Sequence, residues 1–316
     1  MALSIGVDVG GTKIAAGVVD DEGEVLETIR RDSPAKERQA IIDTIVSVTE
    51  ELKGAFPEAA TVGIGAAGFI DADRNTIAHG TNLDWTGLRL ADVVSEKVGL
   101  PVVVENDANA FGWAEARFGA ARGKQNALIV AIGTGLGGAI VVNGQLLRGA
   151  AGFGGEIGHI NVVPDGRPCG CGQYGCLERY SAGTALGVNG WELAQYRPAY
   201  AARIIELSGG DPDRISGKAV TAAAREGDPA ALQCYASLTH WLGVGLADMC
   251  AILDPEIIVI AGGLAEAGGI LLEPTKKAFA EALTAGPHRP AIPIVLAEGG
   301  QEAGLVGAAD LARRSA

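Results

Sequence analysis

The sequence has few aromatic residues, an acidic charge balance and no long apolar run. Aromatic side chains make up 5% of the 316 residues while glycine occurs 47 times, which predicts tight turns and close packing of small side chains. The net charge of −13 argues against nucleic acid or an anionic membrane as the main partner. The N-terminus has no basic region followed by an apolar stretch, and no segment reaches the roughly 18 purely apolar residues of a membrane helix. We therefore expect a soluble, cytoplasmic protein.

Two distant segments of the chain share one pattern of strands and turns. In residues 3–31, short β-branched runs alternate with turns, and the same order of strand, glycine-rich turn, strand and hairpin returns in residues 127–149. A length of 316 residues with 48% hydrophobic content suffices for two domains with separate cores. We therefore predict two related lobes, at 1–107 and 108–301, and a final helix at 302–316 that crosses back to brace the first lobe.

The remaining pattern predicts helices and strands between and after these repeats. The pair Ser33 and Pro34 predicts the start of an amphipathic helix that runs to about Leu52. Further predicted elements are strands at 61–66, 102–105 and 257–261, a helix at 90–98, helices around 178–207, and a long helix from Asp228 and Pro229 to Leu253.

Four potential metal ligands lie close together in the second half of the chain: His159, Cys169, Cys171 and Cys176. One imidazole and three thiols form the soft tetrahedral set of structural zinc, and interspersed glycines let the backbone turn tightly enough for the four to converge. Four protein ligands leave zinc no open position, so we predict that the metal fixes the loop carrying Glu156 and Glu178 and takes no part in catalysis. A disulfide with an odd thiol and three unremarkable cysteines are the alternatives, although nothing suggests an oxidising compartment.

Two glycine-rich hairpin turns are candidates for binding phosphate. Gly133, Gly135 and Gly138 match the spacing of a dinucleotide site, but a strand follows where that site requires a helix. The alternative is that each turn presents backbone N–H groups to phosphate oxygens. The predicted contacts are Gly10, Gly11, Thr12 and Lys13 in the first turn and Gly133, Thr134, Gly135, Gly137 and Gly138 in the second. Asp8 would hold Mg²⁺ through water, while Thr12, Lys13 and Thr134 would meet the β- and γ-phosphates. The alternative is that these are tight turns without a ligand, which Asp8 and Lys13 beside the first turn and Thr134 in the second disfavour for the pair.

Polar residues follow the predicted strand at 102–105. Asn106 and Asp107 lie at its carboxyl end, where α/β sheets present ligand groups. A carboxylate placed there can accept a hydroxyl proton, and the neighbouring Asn can orient the same substrate. Both residue types also favour helix N-caps, so the alternative is that they cap a helix starting near Ala108.

Taken together, these motifs resemble the sugar kinases of the ROK family, and most closely its bacterial ATP-dependent glucokinases of actinobacterial type. The resemblance runs from about residue 4 to residue 312 and rests on DVGGTK at 8–13, END at 105–107, GTGLGG at 133–138, EIGH at 156–159 and CGCGQYGCLE at 169–178. It implies an α/β, two-lobed actin/hexokinase-like ATPase fold with duplicated ribonuclease H-like lobes, a cleft between the lobes and a zinc-bound loop. It also implies a homodimer.

The resemblance further implies transfer of the ATP γ-phosphate to the 6-hydroxyl of glucose, with Mg²⁺ and structural Zn²⁺. By motif, Asp107 is similar to the catalytic base and Asn106 to its sugar-binding neighbour. Glu156, His159 and Glu178 resemble contacts to the sugar hydroxyls near C1 and C2, with His159 touching sugar and metal. Further sugar-site positions are Gly68 and Asn82, and the adenine side has Gly262 and Gly263, where the family often shows three glycines.

Several alternatives stay open at this stage. A kinase of the same fold could act on an N-acylated aminosugar, fructose or allose, because few side chains around Glu156 and His159 decide which C2 substituent fits. Inorganic polyphosphate is a possible donor, but the sequence has no long basic run. Some ROK members are sugar-responsive repressors, which need a helix-turn-helix ahead of the first phosphate loop; the first predicted strand begins at Leu3, so we expect none. A nucleic-acid-binding zinc ribbon disagrees with the net charge.

Overall fold

The computed structural model describes residues 2–34, 37–80 and 85–315 of the chain. The strands are β1 (Leu3–Val9), β2 (Lys13–Val19), β3 (Val25–Asp32), β4 (Ala59–Ala66), β5 (Phe69–Ile70), β6 (Thr76–His79), β7 (Leu88–Arg89), β8 (Val102–Asn106), β9 (Ala127–Ile132), β10 (Leu136–Val142), β11 (Gln145–Leu146), β12 (Ile257–Ala261) and β13 (Ile294–Leu296). The helices are α1 (Arg38–Ala55), α2 (Leu90–Val98), α3 (Asp107–Arg117), α4 (Glu178–Ser181), α5 (Gly183–Tyr196), α6 (Ala202–Leu207), α7 (Gly217–Arg225), α8 (Pro229–Leu253), α9 (Gly269–Ala282) and α10 (Ala303–Ser315).

The chain forms two compact units. The first contains Met1–Ala127, Ala139–Gly155 and Ala297–Ala316, and the second contains Leu128–Gly138 and Glu156–Leu296. The predicted lobe boundary after residue 107 falls between β8 and α3, whereas the compact unit keeps these two elements together because α3 packs against α10. The division into two lobes at 1–107 and 108–301 stays a prediction.

A five-stranded sheet with the order β3-β2-β1-β4-β8 organises the first unit. The predicted meander is confirmed, since β1 and β2 form an antiparallel hairpin and β2 pairs with β3. The strands β1, β4 and β8 run parallel, so their carboxyl ends lie along one edge of the sheet. In the register, Asp8 pairs with Gly65, and Gly65 pairs with Glu105. The parallel edge therefore brings acidic residues from β1 and β8 into one row.

Helices cover both faces of this sheet. Ile5 and Val7 belong to the core formed with α1 and α2, and the alternation of a strand directs the intervening Gly6 to the opposite face. There α10 approaches so closely that a Cβ at Gly6 would lie 1.9 Å from the carbonyl oxygen of Leu305, and one at Gly63 would lie 1.8 Å from that of Ala308. Glycine at these two positions is what allows α10 to lie directly on the sheet.

Two features of the first unit differ from the sequence-based expectation. The helix α1 begins at Arg38 and not at the serine–proline pair. The N–H of Ser33 instead donates to the carbonyl of Thr12, which continues the pairing of β3 beyond Asp32. A small antiparallel sheet with the order β5-β6-β7 was not predicted. Its strands span two to four residues, which is too short for a recognisable alternation of apolar and polar side chains.

The second five-stranded sheet has the order β11-β10-β9-β12-β13, and the compact units divide within β10. The predicted strands β9 and β12 and the long helix α8 are confirmed at the expected residues. Asp228 caps α8 by accepting a hydrogen bond from the N–H of Ala231. By length and composition, α8 is apolar enough to cross a membrane, but half of its most apolar stretch is buried within the fold, and core helices of soluble proteins have the same composition.

Candidate active site

The first glycine-rich turn connects β1 and β2 in the first unit. The N–H of Gly10 donates to the carbonyl of Lys13 at 2.9 Å, which closes the hairpin. Gly11, Thr12 and Lys13 are exposed at the tip of this turn. The turn therefore leaves backbone and side-chain donors open to solvent, as a phosphate site requires.

Two carboxyl groups close to this turn have raised pKa values. Burial and, to a smaller extent, the negative charge of Asp107 raise the pKa of Asp8 from 3.8 to about 6. Burial also raises the pKa of Asp107, although the N–H of Ala108 donates to its Oδ1 at 2.9 Å and works in the opposite direction. Gly65, which pairs with Asp8, adds no side chain between them: a Cβ there would lie 3.8 Å from the Cα of Asp107. A carboxylate that is costly to ionise suits a site where a cation binds, so Asp8 fits the predicted Mg²⁺ position.

Asn106 connects the end of β8 to the sugar-site residues of the first unit. Its Oδ1 accepts a hydrogen bond from the N–H of Asn109 at 3.0 Å, so the predicted capping role is confirmed for this residue. Its Nδ2 donates to the carbonyl of Gly68 at 3.1 Å. Gly68 has φ +131°, and a Cβ there would lie 2.5 Å from the carbonyl oxygen of His79. The structure thus brings Gly68 into contact with Asn106, whereas Asn82 lies outside the described residues.

The side chain of Glu105 forms hydrogen bonds and ion pairs that fix the segment of Asn106 and Asp107, a role that was not predicted from the sequence. The residue is 2% exposed, and its Oε1 accepts hydrogen bonds from the N–H of Asn106 at 3.0 Å and from Nδ2 of Asn109 at 3.2 Å. Its Oε2 lies 3.0 Å from Nε of Arg74 and 2.8 Å from Nε of Arg148. Two arginines therefore neutralise the buried charge, and the carboxylate fixes the backbone immediately before Asp107.

In the second unit, the glycine-rich turn between β9 and β10 is tied to two other segments. The N–H of Leu136 donates to Oε2 of Glu178 at 3.0 Å, and a Cβ at Gly135 would lie 2.4 Å from that oxygen. The carbonyl of Gly133 accepts a hydrogen bond from the N–H of Gly183, the first residue of α5. Glu178, predicted to contact sugar, is thus placed directly against the predicted phosphate turn.

The second turn is shorter than the sequence suggests. The strand β10 begins at Leu136, so Gly137 and Gly138 lie in the strand and not in the turn. Gly138 is buried, and a Cβ there would lie 2.2 Å from Cδ1 of Ile157. Gly133, Thr134 and Gly135 remain as the turn itself, and Thr134 is exposed at its tip.

The four predicted zinc ligands converge. All five cysteines of the chain are free thiols, so the disulfide alternative is wrong. Sγ of Cys169 lies 3.6 Å from Nδ1 of His159, Sγ of Cys171 lies 3.6 Å from Sγ of Cys176, and the four ligand atoms lie within 4.8 Å of one another. Bonds of about 2.3 Å to sulfur and about 2.0 Å to nitrogen place tetrahedral ligands about 3.5–3.8 Å apart, so the group fits Zn²⁺.

Burial and the neighbouring thiols raise the pKa of Cys176 to about 12. A thiol in this environment becomes a thiolate only when a cation compensates its charge, which supports the same interpretation of the cluster. His159 ends a one-turn 3₁₀ helix that begins at Ile157, and its N–H donates to the carbonyl of Glu156 at 3.0 Å. Because Nδ1 faces Cys169, Nε2 is left for a second partner, consistent with the predicted contact to sugar.

A cavity of about 1080 Å³ opens beside the second turn, within the second unit. Gly133 and Thr134 lie at one end, and α5, the start of α7 and Gly263 form its walls. Gly263 of the predicted adenine-side pair lines the cavity, whereas Gly262, with φ +85°, packs over the backbone of Ile132. The sequence analysis did not identify the lining residues from α5 and α7, because they are brought together only by the packing of these helices.

The architecture is that of the actin/hexokinase-like ATPases, as predicted, and it resembles solved members of one family. The crystal structure of a ROK family glucokinase from Streptomyces griseus in complex with glucose and AMPPNP matches with a TM-score of 0.87 and 45% identity, covering 99% of both chains. A ROK hexokinase from Thermus thermophilus matches with a TM-score of 0.85 and 32% identity, covering 99% of this chain and 98% of that one.

The chain belongs to the ROK family, whose family model matches residues 4–315. Its sequence is also 45% identical to the glucokinase of Streptomyces coelicolor over 313 residues, which cover 99% of this chain and 98% of that protein. The resemblance inferred from the motifs is therefore confirmed.

Proposed function

We propose that this protein is a glucokinase that transfers the γ-phosphate of ATP to the 6-hydroxyl of glucose, forming glucose 6-phosphate and ADP. The observation that carries the proposal is the 45% identity, over 99% of both chains, to a glucokinase whose crystal structure contains glucose and AMPPNP.

Asp107 is the proposed general base. A sugar primary hydroxyl is a weak acid, so its attack on the γ-phosphate benefits from a carboxylate that accepts the proton during in-line transfer. Burial raises the pKa of Asp107, which makes its carboxylate a stronger base than an exposed Asp. Asn106, held by Glu105 and Gly68, would orient the sugar beside it.

The phosphate chain of ATP would lie against the glycine-rich turns. Gly10, Gly11, Thr12 and Lys13 of the first turn and Gly133, Thr134 and Gly135 of the second offer donors to phosphate oxygens, while Gly137 and Gly138 shape the strand behind them. Asp8 would hold Mg²⁺, which neutralises developing charge on the phosphates when it is bound. Gly262 and Gly263 would border the adenine.

The proposed sugar contacts from the second unit are Glu156, His159 and Glu178. Zn²⁺ held by His159, Cys169, Cys171 and Cys176 would cross-link the loop that carries these side chains. Gly68 and Asn82 are the further proposed contacts from the first unit. On family resemblance, we also propose that the enzyme is a cytoplasmic homodimer.

A coupled assay of sugar phosphorylation tests the proposal. Glucose, mannose, fructose, allose and N-acetylglucosamine would each be supplied with ATP or with inorganic polyphosphate, in the presence of Mg²⁺. We expect the highest kcat/KM for glucose with ATP. A higher kcat/KM for another hexose, or activity with polyphosphate alone, would replace the proposed function with one of these alternatives.

A further inference from the structure

One face of the helix α5 forms a wall of the large cavity in the second unit. Gly183, Thr184, Gly187, Val188 and Trp191 line the cavity, and their spacing of one, four, five and eight residues from Gly183 places them on one side of the helix. The wall therefore runs in a line from the start of α5 to Trp191.

One end of this wall lies at the second glycine-rich turn, and Trp191 lies at the other. At its start, the N–H of Gly183 donates to the carbonyl of Gly133 at 2.9 Å, and the N–H of Thr184 donates to that of Thr134 at 3.2 Å, so α5 begins directly on the glycine-rich turn. Trp191 follows eight residues later, which corresponds to about 12 Å along the helix axis. A nucleotide with its phosphates at the turn would extend along α5 with its base toward Trp191.

Small residues keep the middle of the wall free of side chains. A Cβ at Gly187 would lie 3.1 Å from the backbone nitrogen of Gly217, and a Cβ at Gly217 would lie 2.4 Å from the carbonyl oxygen of Gly183. The start of α7 therefore packs on α5 through backbone atoms. Between Thr184 and Trp191, the residues of α5 that line the cavity are Gly187 and Val188, so this part of the wall presents no side chain larger than valine.

Trp191 is held in place but is not buried. Its ring is 42% exposed, whereas Trp85 is 1% exposed and Trp113 is 6% exposed. Its Nε1 donates to Oδ1 of Asp213 at 3.0 Å, and Asp213 also lines the cavity. Because the N–H edge of the indole is engaged, the ring offers the cavity mainly its apolar surface.

We propose that Trp191 stacks on the base of the nucleotide donor and makes the donor site selective for a nucleoside triphosphate over inorganic polyphosphate. This inference rests on the proposed function, because it needs the cavity to be the donor site. Every base presents a π-face to an aromatic side chain, whereas a polyphosphate chain has no ring to stack. The same property predicts that GTP, which has a different hydrogen-bonding edge, also benefits from the contact.

The binding of ADP and of tripolyphosphate to the wild type, Trp191→Ala and Trp191→Phe tests the proposal. Isothermal titration calorimetry would give both dissociation constants for each protein in the presence of Mg²⁺. We expect Trp191→Ala to weaken ADP binding by about 5- to 150-fold, the range for loss of one base–aromatic stack, and to leave tripolyphosphate binding unchanged. Trp191→Phe retains an aromatic ring and should recover most of the ADP affinity.

Tyr196 provides a matched control on the same helix. It is 85% exposed and does not line the cavity, so Tyr196→Ala should bind ADP as the wild type does. Unchanged ADP affinity in Trp191→Ala, or an equal loss of ADP and tripolyphosphate affinity, would overturn the inference and leave the glucokinase function intact. A wild-type protein that bound tripolyphosphate but no ADP would instead overturn the proposed function itself.

Discussion

Replacing Asp8 by Asn should stabilise the protein above pH 6 while it impairs the reaction. Burial, followed by the charge of Asp107, raises the pKa of Asp8 from 3.8 to about 6. Part of that burial comes from the start of α10, since a Cβ at Gly304 would lie 3.1 Å from the Asp8 carboxyl group. Asn has nearly the same shape without the ionisable group, so the variant avoids the cost of a buried negative charge.

The size and sign of the effect follow from the two pKa values. The carboxyl group of Asp8 binds its proton more tightly in the folded state than in the unfolded state. The resulting contribution to the free energy of unfolding is therefore complete below pH 3.8 and is lost as the pH rises through 6. A shift of about 2 pKa units corresponds to about 3 kcal/mol at most, and roughly 1.4 kcal/mol of this change falls between pH 5 and pH 8. The stability advantage of Asp8→Asn over the wild type should therefore grow by about that amount across this range.

Urea unfolding at pH 5 and pH 8, with EDTA present to remove divalent cations, measures the difference. Asp21→Asn, in the exposed turn between β2 and β3, serves as a matched control that should not change the pH dependence. In the kinase assay, Asp8→Asn should need more Mg²⁺ and bind the nucleotide less productively. A free-energy difference between the wild type and Asp8→Asn that is the same at pH 5 and pH 8 would refute the raised pKa, and with it the reason for assigning the cation to this carboxylate.

Three further predictions concern the reaction and the metal. Asp107→Asn should lower kcat by roughly 10²- to 10⁴-fold in steady-state assays, because it removes the base while zinc content and Mg·ATP binding stay near wild type; retention of more than about a tenth of kcat would leave Asp107 as a helix residue only. Cys171→Ala should lose zinc by elemental analysis and weaken glucose binding, whereas Cys234→Ala, a buried thiol in α8, should keep both; active wild-type protein without zinc would contradict this. 2-Deoxyglucose should have a lower kcat/KM than glucose, because it lacks the hydroxyl that Glu156 is proposed to bind; equal values would contradict the assignment of Glu156 to the 2-hydroxyl.

Much of the fold could be predicted from the sequence because its strands are local and strongly patterned. The strands β9 and β12 are short apolar runs bounded by glycine, polar or proline-containing turns, and their ends agree with the sequence analysis. The predicted start of α1 was wrong: the serine–proline signal is local, whereas Ser33 is hydrogen-bonded to Thr12 of the first glycine-rich turn, about 20 residues earlier in the chain, and α1 begins only at Arg38.

The candidate site, too, could be predicted where its residues are close in sequence and not where they are distant. The thiol cluster could be predicted, because three of its four ligands lie within eight residues and a loop of that length brings them together by itself. The ion pairs of Glu105 could not, since Arg74 and Arg148 are separated from it by dozens of residues in opposite directions along the chain. One signal was available: a charged residue in an otherwise apolar strand must be paired if the strand is central, and that condition applied to Glu105.

Three carboxyl groups of the first unit, those of Asp8, Glu105 and Asp107, have different surroundings. These surroundings indicate a structural role for Glu105 and chemical roles for Asp8 and Asp107. Glu105 is neutralised by Arg74 and Arg148, so its charge is satisfied before any ligand binds, and it serves to hold the backbone of Asn106. Burial raises the pKa values of both Asp8 and Asp107; the charge of Asp107 adds to the effect at Asp8, and backbone hydrogen bonds oppose it at Asp107. A fold that only needed stability would gain by pairing or removing these two groups. A phosphoryl-transfer site needs both groups buried and without a cationic partner. The carboxylate of Asp8 is then stabilised when a cation binds, and that of Asp107 is stabilised when it accepts a proton.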